Sequence, residues 1–456
     1  MNGLPSSFRD PNGFVYNRDG RLLRQVNFSF SEHYDALLES GLYEELVAAE
    51  LLVPHDECST DLALTDQAYR VLEPQRLPFV SYPYEWCFSQ LKDAALTTLQ
   101  AQKRALARGM TLKDASAYNI QFHLGKPILI DTLSFERSRE GMPWIAYRQF
   151  CQHFVAPLAI MSCLDIRLGR LLERFLDGIP LDLASNMLPR SSWIRPSLAI
   201  HIHFHSRSIR RYANASRDRV EQSRHLSRRK LEALVAHLES AIERLQWKPE
   251  ETEWADYETH HGYSEAARAD KERVVLEHLH DVAPASVWDL GSNTGFFSKL
   301  AARAGSQVVA LDGDPGAIEL LYRQVKEGER RILPLWVDLS NPSPALGWAH
   351  RERDSLAGRG PADLILALAL VHHMAISNNV PLEQIARFLS LLGRSLVVEF
   401  VPKSDPQAQR LLVSREDVFS DYSQASFERA FSRYFTTISS SPIGEGERRI
   451  YRMARV

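Results

Sequence analysis

The chain's richest chemistry lies in the run VWDLGSNTGFFSKLA, Val287 to Ala301. An apolar strand delivers Asp289, a turn runs through Gly291, Ser292, Asn293, Thr294 and Gly295, and a helical stretch follows. Glycines in such a turn let backbone approach a ligand closely, at the carboxyl end of a strand where parallel sheets bind ligands. About twenty residues beyond the glycine loop, the spacing of nucleoside-binding sheets, QVVALD ends in Asp312, followed by Gly313, Asp314 and Pro315. An acidic side chain there can accept both ribose hydroxyls of a nucleoside ligand. A third apolar run, ILPLWVD, ends in Asp338, with Leu339 next. A fourth, ADLILALALVHHMAI, delivers His372 and His373, and a fifth, LVVEFVPK, delivers Glu399. Histidine titrates near neutrality and can take a proton from an acceptor. Glu399 is a second candidate, as base or as a carboxylate that orients a substrate. Each aspartate taken singly also fits a surface carboxylate, and each histidine a packed side chain; three aspartates at successive strand ends do not fit chance.

These side chains need a scaffold, and its pattern is visible. Apolar runs at Ser286–Leu290, Gln307–Leu311, Ile332–Val337, Asp363–Ala369 and Ser395–Phe400 alternate with helical stretches. That alternation predicts a parallel sheet with helices on both faces. The tail differs: Thr436–Ile443, a GEGE turn and Arg448–Val456 read as an antiparallel hairpin. The expected fold is therefore α/β, a doubly wound seven-stranded Rossmann-like sheet over 251–456. Ahead of it, an arginine-dense run from Arg207 to Lys230 passes into an amphipathic helix with Leu231, Leu234, Val235, Leu238, Ile242 and Leu245 at helical spacing. It stops at Lys248-Pro249 and reads as a connector over 216–250. The arginines suit a solvated helix face better than a phosphate-binding one.

Composition narrows the class. The 456 residues are 45% hydrophobic and 24% charged, ordinary for a globular protein of two domains plus a connector. A net charge of −3 gives no global field for nucleic acid. Cys58, Cys87, Cys151 and Cys163 form no CxxC pair, as expected of thiols in a reducing compartment. The start, MNGLPSSFRDPNG, shows no signal pattern and no apolar run reaches membrane-spanning length, so the expected location is cytoplasmic. His201, His203 and His205, and the pair His260-His261, lack a carboxylate or cysteine partner at ligand spacing, so no metal is expected.

The DxGxxxG pattern of Asp289, Gly291 and Gly295 resembles the signature of class I S-adenosylmethionine-dependent methyltransferases. The rival nicotinamide fingerprint GxGxxG needs a glycine where Asn293 stands. The resemblance implies S-adenosyl-L-methionine as cofactor. The loop of Gly291, Ser292, Asn293 and Gly295 would lie against its amino-acid part, Asp312 would hold its ribose and Asp338 would contact its adenine amino group, with Asp289, Gly313 and Leu339 in the same cofactor-binding set. It further implies that the segment Trp254 to Lys271, with Trp254, Tyr257 and Tyr263, covers the cofactor; an interdomain packing surface is the alternative. Taken whole, the chain resembles bacterial methyltransferases linked to nodulation-type glycan decoration, which implies a sugar or other small-molecule hydroxyl as acceptor and no membrane.

Residues 1–215 carry a second pattern. LKDASAYNIQFHLGKPILIDTLSF holds Asp114, Asn119 five residues later, and Asp131 at the end of an apolar strand. The order resembles that of protein kinases and aminoglycoside-phosphotransferase-like enzymes, with a catalytic aspartate, then an asparagine and an aspartate for magnesium. The surroundings agree: GFVYNRDGRLLRQV reads as a hairpin of a small lobe, and LKDAALTTLQAQKRALARG as a long helix. Departures are plain. No lysine precedes Lys92, leaving Arg24 as a weak substitute for the phosphate-holding ammonium, and no glycine-rich loop is present. The implied domain is α+β, kinase-like and degenerate, binding the acceptor, a partner or a nucleotide; an unrelated α/β fold is the alternative. Three functions stand: a methyltransferase making an O-methyl product, a bifunctional kinase–methyltransferase, and a non-catalytic donor-binding regulator.

Overall fold

Residues 3–212, 227–249, 265–413, 421–444 and 446–456 are described by a computed structural model of the chain. Trp254, Tyr257, Tyr263, His260, His261 and most of the arginine-rich run lie outside these residues. The chain divides into one unit of residues 1–248 with 347–352 and another of 249–346 with 353–456.

The first unit opens on a four-stranded antiparallel sheet of β1 Gly13–Arg18, β2 Arg21–Asn27, β3 His55–Cys58 and β4 Ala68–Pro74, in the order β1-β2-β4-β3. Helix α1, Ser31–Glu39, follows its hairpin, and the 20-residue α2, Phe88–Ala107, buries one long face through Leu91, Ala95, Leu99 and Leu106. Two short antiparallel pairs come next: β5 Met110–Leu112 with β8 Phe135–Arg137, and β6 Ile120–His123 with β7 Lys126–Leu129. Several helices follow among the described residues. They include α3, Arg228–Arg244, whose stripe of Leu231, Val235, Leu238 and Ile242 is buried. The expected connector helix thus lies within the first unit and packs against α2.

In the second unit, α4 Glu265–Val282 leads into a seven-stranded sheet. Its strands are β9 Ser286–Leu290, β10 Gln307–Asp312, β11 Ile332–Trp336, β12 Ala362–Ala367, β13 Gly393–Phe400, β14 Phe435–Pro442 and β15 Arg449–Arg455. The order is β11-β10-β9-β12-β13-β15-β14. Five strands run parallel, and β15 and β14 close the sheet antiparallel, so the sheet is mixed, as the α/β pattern and terminal hairpin predict. Helices α5 Phe296–Arg303, α6 Pro315–Glu327, α7 Leu382–Leu392 and α8 Gln424–Phe431 follow β9, β10, β12 and β13 in the chain. Burial on both faces explains why the central strands read as continuous apolar runs rather than alternating ones. Val274, Val275 and Leu279 of α4 join Val287, Val308, Leu364 and Val397 of the sheet in one core. From β9 the chain winds one way to β10 and β11 and the other way to β12 and β13. That switch opens a crevice at the carboxyl ends of β9 and β12.

One glycine at this crevice is sterically compelled. Gly295, with φ +81°, precedes α5, and a Cβ there would lie 2.5 Å from a methyl of Leu321. Gly295→Ala therefore combines left-handed strain with overpacking, and is expected to cost about 2–4 kcal/mol. Gly446→Ala, where no atom lies within 4 Å of the new carbon, is the control. Thermal unfolding is expected to separate the two; equal midpoints would contradict the packing described.

Candidate active site

The glycine loop and the end of β10 hold each other. Gly291, at φ +75°, and Ser292 both donate their N–H to the Leu311 carbonyl, at 2.8 and 3.0 Å. Asn293, also left-handed at φ +49°, donates its N–H to Asp312 Oδ2 at 2.7 Å, and Asp314 N–H donates to Asp312 Oδ1 at 2.8 Å. The parallel register that sets Leu290 beside Leu311 makes this meeting inevitable. Asp289, fully buried, accepts from Ser298 Oγ at 2.6 Å. Burial pushes Asp289 and Asp312 each up to about 6 from 3.8. Among the described residues the buried Ser292 hydroxyl has no hydrogen-bond partner, and next to Gly291 only Leu370 approaches, at 3.5 Å from the place of a Cβ. An orphaned hydroxyl beside open backbone is what a ligand-facing loop presents. Just past the end of β11 Asp338 is exposed and caps its own turn, accepting from Ser340 N–H and Oγ, with Leu339 half-buried beside it. Gly313 offers its carbonyl to Trp336 Nε1 at 3.0 Å.

The end of β12 turns sharply. Ala369 takes φ +51° and donates its N–H to Glu399 Oε2 at 2.9 Å. The turn carries Leu370 against the glycine loop and starts His372 and a π-helical turn, His373–Ser377. π-helical turns recur at functional sites. The two imidazoles lie 4.2 Å apart between centroids. His372 is 2% exposed, its Nδ1 lacks a partner among the described residues, and burial pushes its pKa down to about 3. His373 is half-buried and its pKa is lowered by burial alone.

Glu399 differs from the base or substrate-orienting carboxylate anticipated above. It is fully buried, Lys271 Nζ donates to its Oε2 at 2.7 Å, and Arg448 Nη1 lies 3.4 Å from its Oε1. Arg448 in turn forks onto Asp405, with Nε and Nη2 at 2.5 and 2.8 Å. A carboxylate held by two cations and a backbone N–H has its lone pairs committed and is a poor proton acceptor. Lys271 and Arg448 were missed from the sequence. A glutamate inside an apolar strand does signal that some cation must meet it, but their separations of 128 and 49 residues hide which one.

In the first unit, Asp114, Asn119 and Asp131 share one hydrogen-bonded patch. Asn119 Nδ2 donates to Ser134 Oγ at 3.1 Å, and Ser134 Oγ donates to Asp131 Oδ2 at 2.6 Å. Asp114 accepts from Ser116 N–H and from Gln149 Nε2, at 3.0 and 2.8 Å. Burial, then the neighbouring Asp131, pushes the Asp114 carboxyl up. Arg24 forms an ion pair with Asp131. The histidines of 201–205 serve packing: His203 bridges Ser185 and Ser192, and His201 joins Tyr147 to His237, all at 2.8 Å.

The chain is 33% identical to the nodulation protein NoeA of Rhizobium meliloti strain 1021 over 460 residues, covering 99% of this chain and 96% of that one. No protein-family profile matches. Among solved structures, the N-methyltransferase NodS from Bradyrhizobium japonicum WM9 is similar over 42% of this chain and 98% of its own, at 12% identity and TM-score 0.33. The magnesium protoporphyrin IX methyltransferase ChlM from Synechocystis PCC 6803 is similar over 44% and 93%, at 17% identity and TM-score 0.32.

The buried Asp289 carboxylate has a pH signature. Its folded pKa is raised, so the stability it contributes is complete below pH 3.8 and is lost as pH rises through about 6. Asp289→Asn keeps an acceptor for Ser298 without the charge. Relative to the parent, it is expected to gain stability with rising pH, reaching at most about 3 kcal/mol above pH 7. Melting temperatures of both proteins from pH 4 to 8 measure this; a constant difference would show that Asp289 does not titrate in that range.

Proposed function

The chain belongs to the family of the nodulation protein NoeA, and from that premise we propose that it is an S-adenosylmethionine-dependent methyltransferase acting on a small-molecule or glycan acceptor. The observation that carries the reading is the succession of Asp289, the glycine loop, Asp312 and Asp338 along one sheet edge, with His372 and His373 on the turn after β12. The orphaned Ser292 hydroxyl and the open backbone at Gly291 fit the amino-acid part of the cofactor. Asp312, set in place by Asn293, fits its ribose hydroxyls, and Asp338 and Leu339 fit its adenine. When bound, the cofactor supplies an electrophilic methyl group on sulfur. The chain's own residues then have to align a hydroxyl in line with that methyl and take up its proton. His373, the less buried of the two imidazoles, is the proposed acceptor of that proton, and the product is an O-methyl ether. His372, neutral because of its burial, packs behind it. Glu399 keeps the turn in place.

A second reading, a bifunctional kinase–methyltransferase, is favoured by the gathering of Asp114, Asn119 and Asp131 in one patch. The pairing of Arg24 with Asp131 supports the degenerate version of a kinase-like domain, because that cation competes with any magnesium ion for the carboxylate.

With cell extract as acceptor source and labelled S-adenosylmethionine as donor, His373→Ala is expected to lower the transfer rate about a hundredfold to ten-thousandfold, the range for loss of a general base. Its affinity for S-adenosylhomocysteine should stay unchanged. Asp312→Ala is expected to weaken that affinity by about 1.5–3 kcal/mol, the cost of a lost hydrogen bond to a charged group. Full turnover in His373→Ala would remove the base, and unchanged affinity in Asp312→Ala would remove Asp312 from the site.

For the first unit, the expected outcome is no phosphate transfer from labelled ATP. Robust transfer that disappears in Asp114→Ala would make the protein bifunctional.

A further inference from the structure

The π-helical turn that begins with His373 also forms one wall of a groove in the second unit. Ala375 of that turn lines it together with Val380, Leu382 and Ala430, which supply an apolar floor. The groove holds about 400 Å³, within the range of about 300–1,000 Å³ common for small-molecule sites. Its rim is polar: Asn379, Asp421, Ser426 and Arg429, with an ion pair of Arg433 and Glu383 at 2.5 Å. Two arginines and two carboxylates cancel, so the rim offers donors and acceptors in number but no net attraction for a charged ligand. Tyr422, whose hydroxyl is spent on the Val401 carbonyl at 2.8 Å, contributes its ring.

An apolar floor under a charge-balanced rim of donors and acceptors matches a ligand with an apolar C–H face and many hydroxyls at its edge. We propose that this groove is the acceptor subsite and that it takes a neutral, polyhydroxylated ligand of the oligosaccharide class. The proposal rests on the methyltransferase reading, and it fixes the acceptor's body beside the turn that carries His373. Arg429 and Asn379 hold hydroxyls by direct hydrogen bonds; the Glu383–Arg433 pair sets the width of the mouth.

The test uses the full chain, with saturation-transfer NMR against cellotriose, maltotriose and chitotriose, and glucose 6-phosphate as the anionic comparison. Affinity for S-adenosylhomocysteine is measured in parallel by calorimetry. At least one trisaccharide is expected to bind. Ala430→Trp, which fills the groove, should abolish that binding, and Arg429→Ala should weaken it about tenfold, the loss of one strong hydrogen bond. Both variants should bind S-adenosylhomocysteine as the parent does. No trisaccharide signal from a parent protein that binds S-adenosylhomocysteine would overturn the subsite and leave the methyltransferase reading standing. Preferential binding of glucose 6-phosphate, or trisaccharide binding untouched by Ala430→Trp, would also overturn it. A parent protein that fails to bind S-adenosylhomocysteine would overturn the reading beneath.

Discussion

The histidine turn at the carboxyl edge of the large sheet depends on one buried carboxylate. Glu399 has no exposed surface, and an isolated charge in that position would cost far more than the fold can supply. It is tolerated because Lys271 comes from the helix before β9, Arg448 from just before β15, and the Ala369 N–H from the turn after β12. Three segments distant in sequence are thus bound to one point at the end of β13. Removing either cation would leave a buried charge short of partners, a change that typically costs about 3–5 kcal/mol. The network therefore enforces a geometry more than it adds stability, and the geometry it enforces is the Ala369 turn.

That turn carries the two histidines. A non-glycine residue at φ +51° is strained, and such strain persists only where surroundings over-determine it. Here the hydrogen bond to Glu399 supplies the constraint, and the chain leaves the turn with Leu370 against Gly291 and the two histidines in succession. The glycine loop is held from its other side by Asp312. The glycine loop and the histidine turn are therefore each held by an acidic side chain on a different strand, Asp312 through backbone N–H groups and Glu399 through two cations and a backbone N–H. Burial raises Asp312 to about 6.

Most of the second unit's architecture was legible in the sequence, because buried parallel strands announce themselves as apolar runs and strand ends as the polar residues that stop them. Asp289, Asp312, Asp338, His372 and Glu399 were readable as strand-end residues for that reason, and the structure does bring them to one edge. What Glu399 does there was not readable. Its partners lie on a helix and in a turn whose own patterns give no sign of burial, and only the register between β13 and β15 brings Arg448 near. The same limit held in the first unit. The spacing of Asp114, Asn119 and Asp131 was visible, but the ion pair that Arg24 makes with Asp131 required the pairing of β2 with its neighbours and the approach of β7. Local pattern reports what a strand end offers; only tertiary contact reports whether that offer is already taken.

The most direct test of this account is a crystal structure of the full chain with S-adenosylhomocysteine. The account places the ribose hydroxyls within hydrogen-bond reach of Asp312, the amino-acid part over Gly291 and Ser292, and the sulfur facing the His373 turn, with Lys271 and Arg448 still on Glu399. A ligand bound elsewhere, or an ordered complex in which Glu399 has left both cations to meet the ligand, would contradict it.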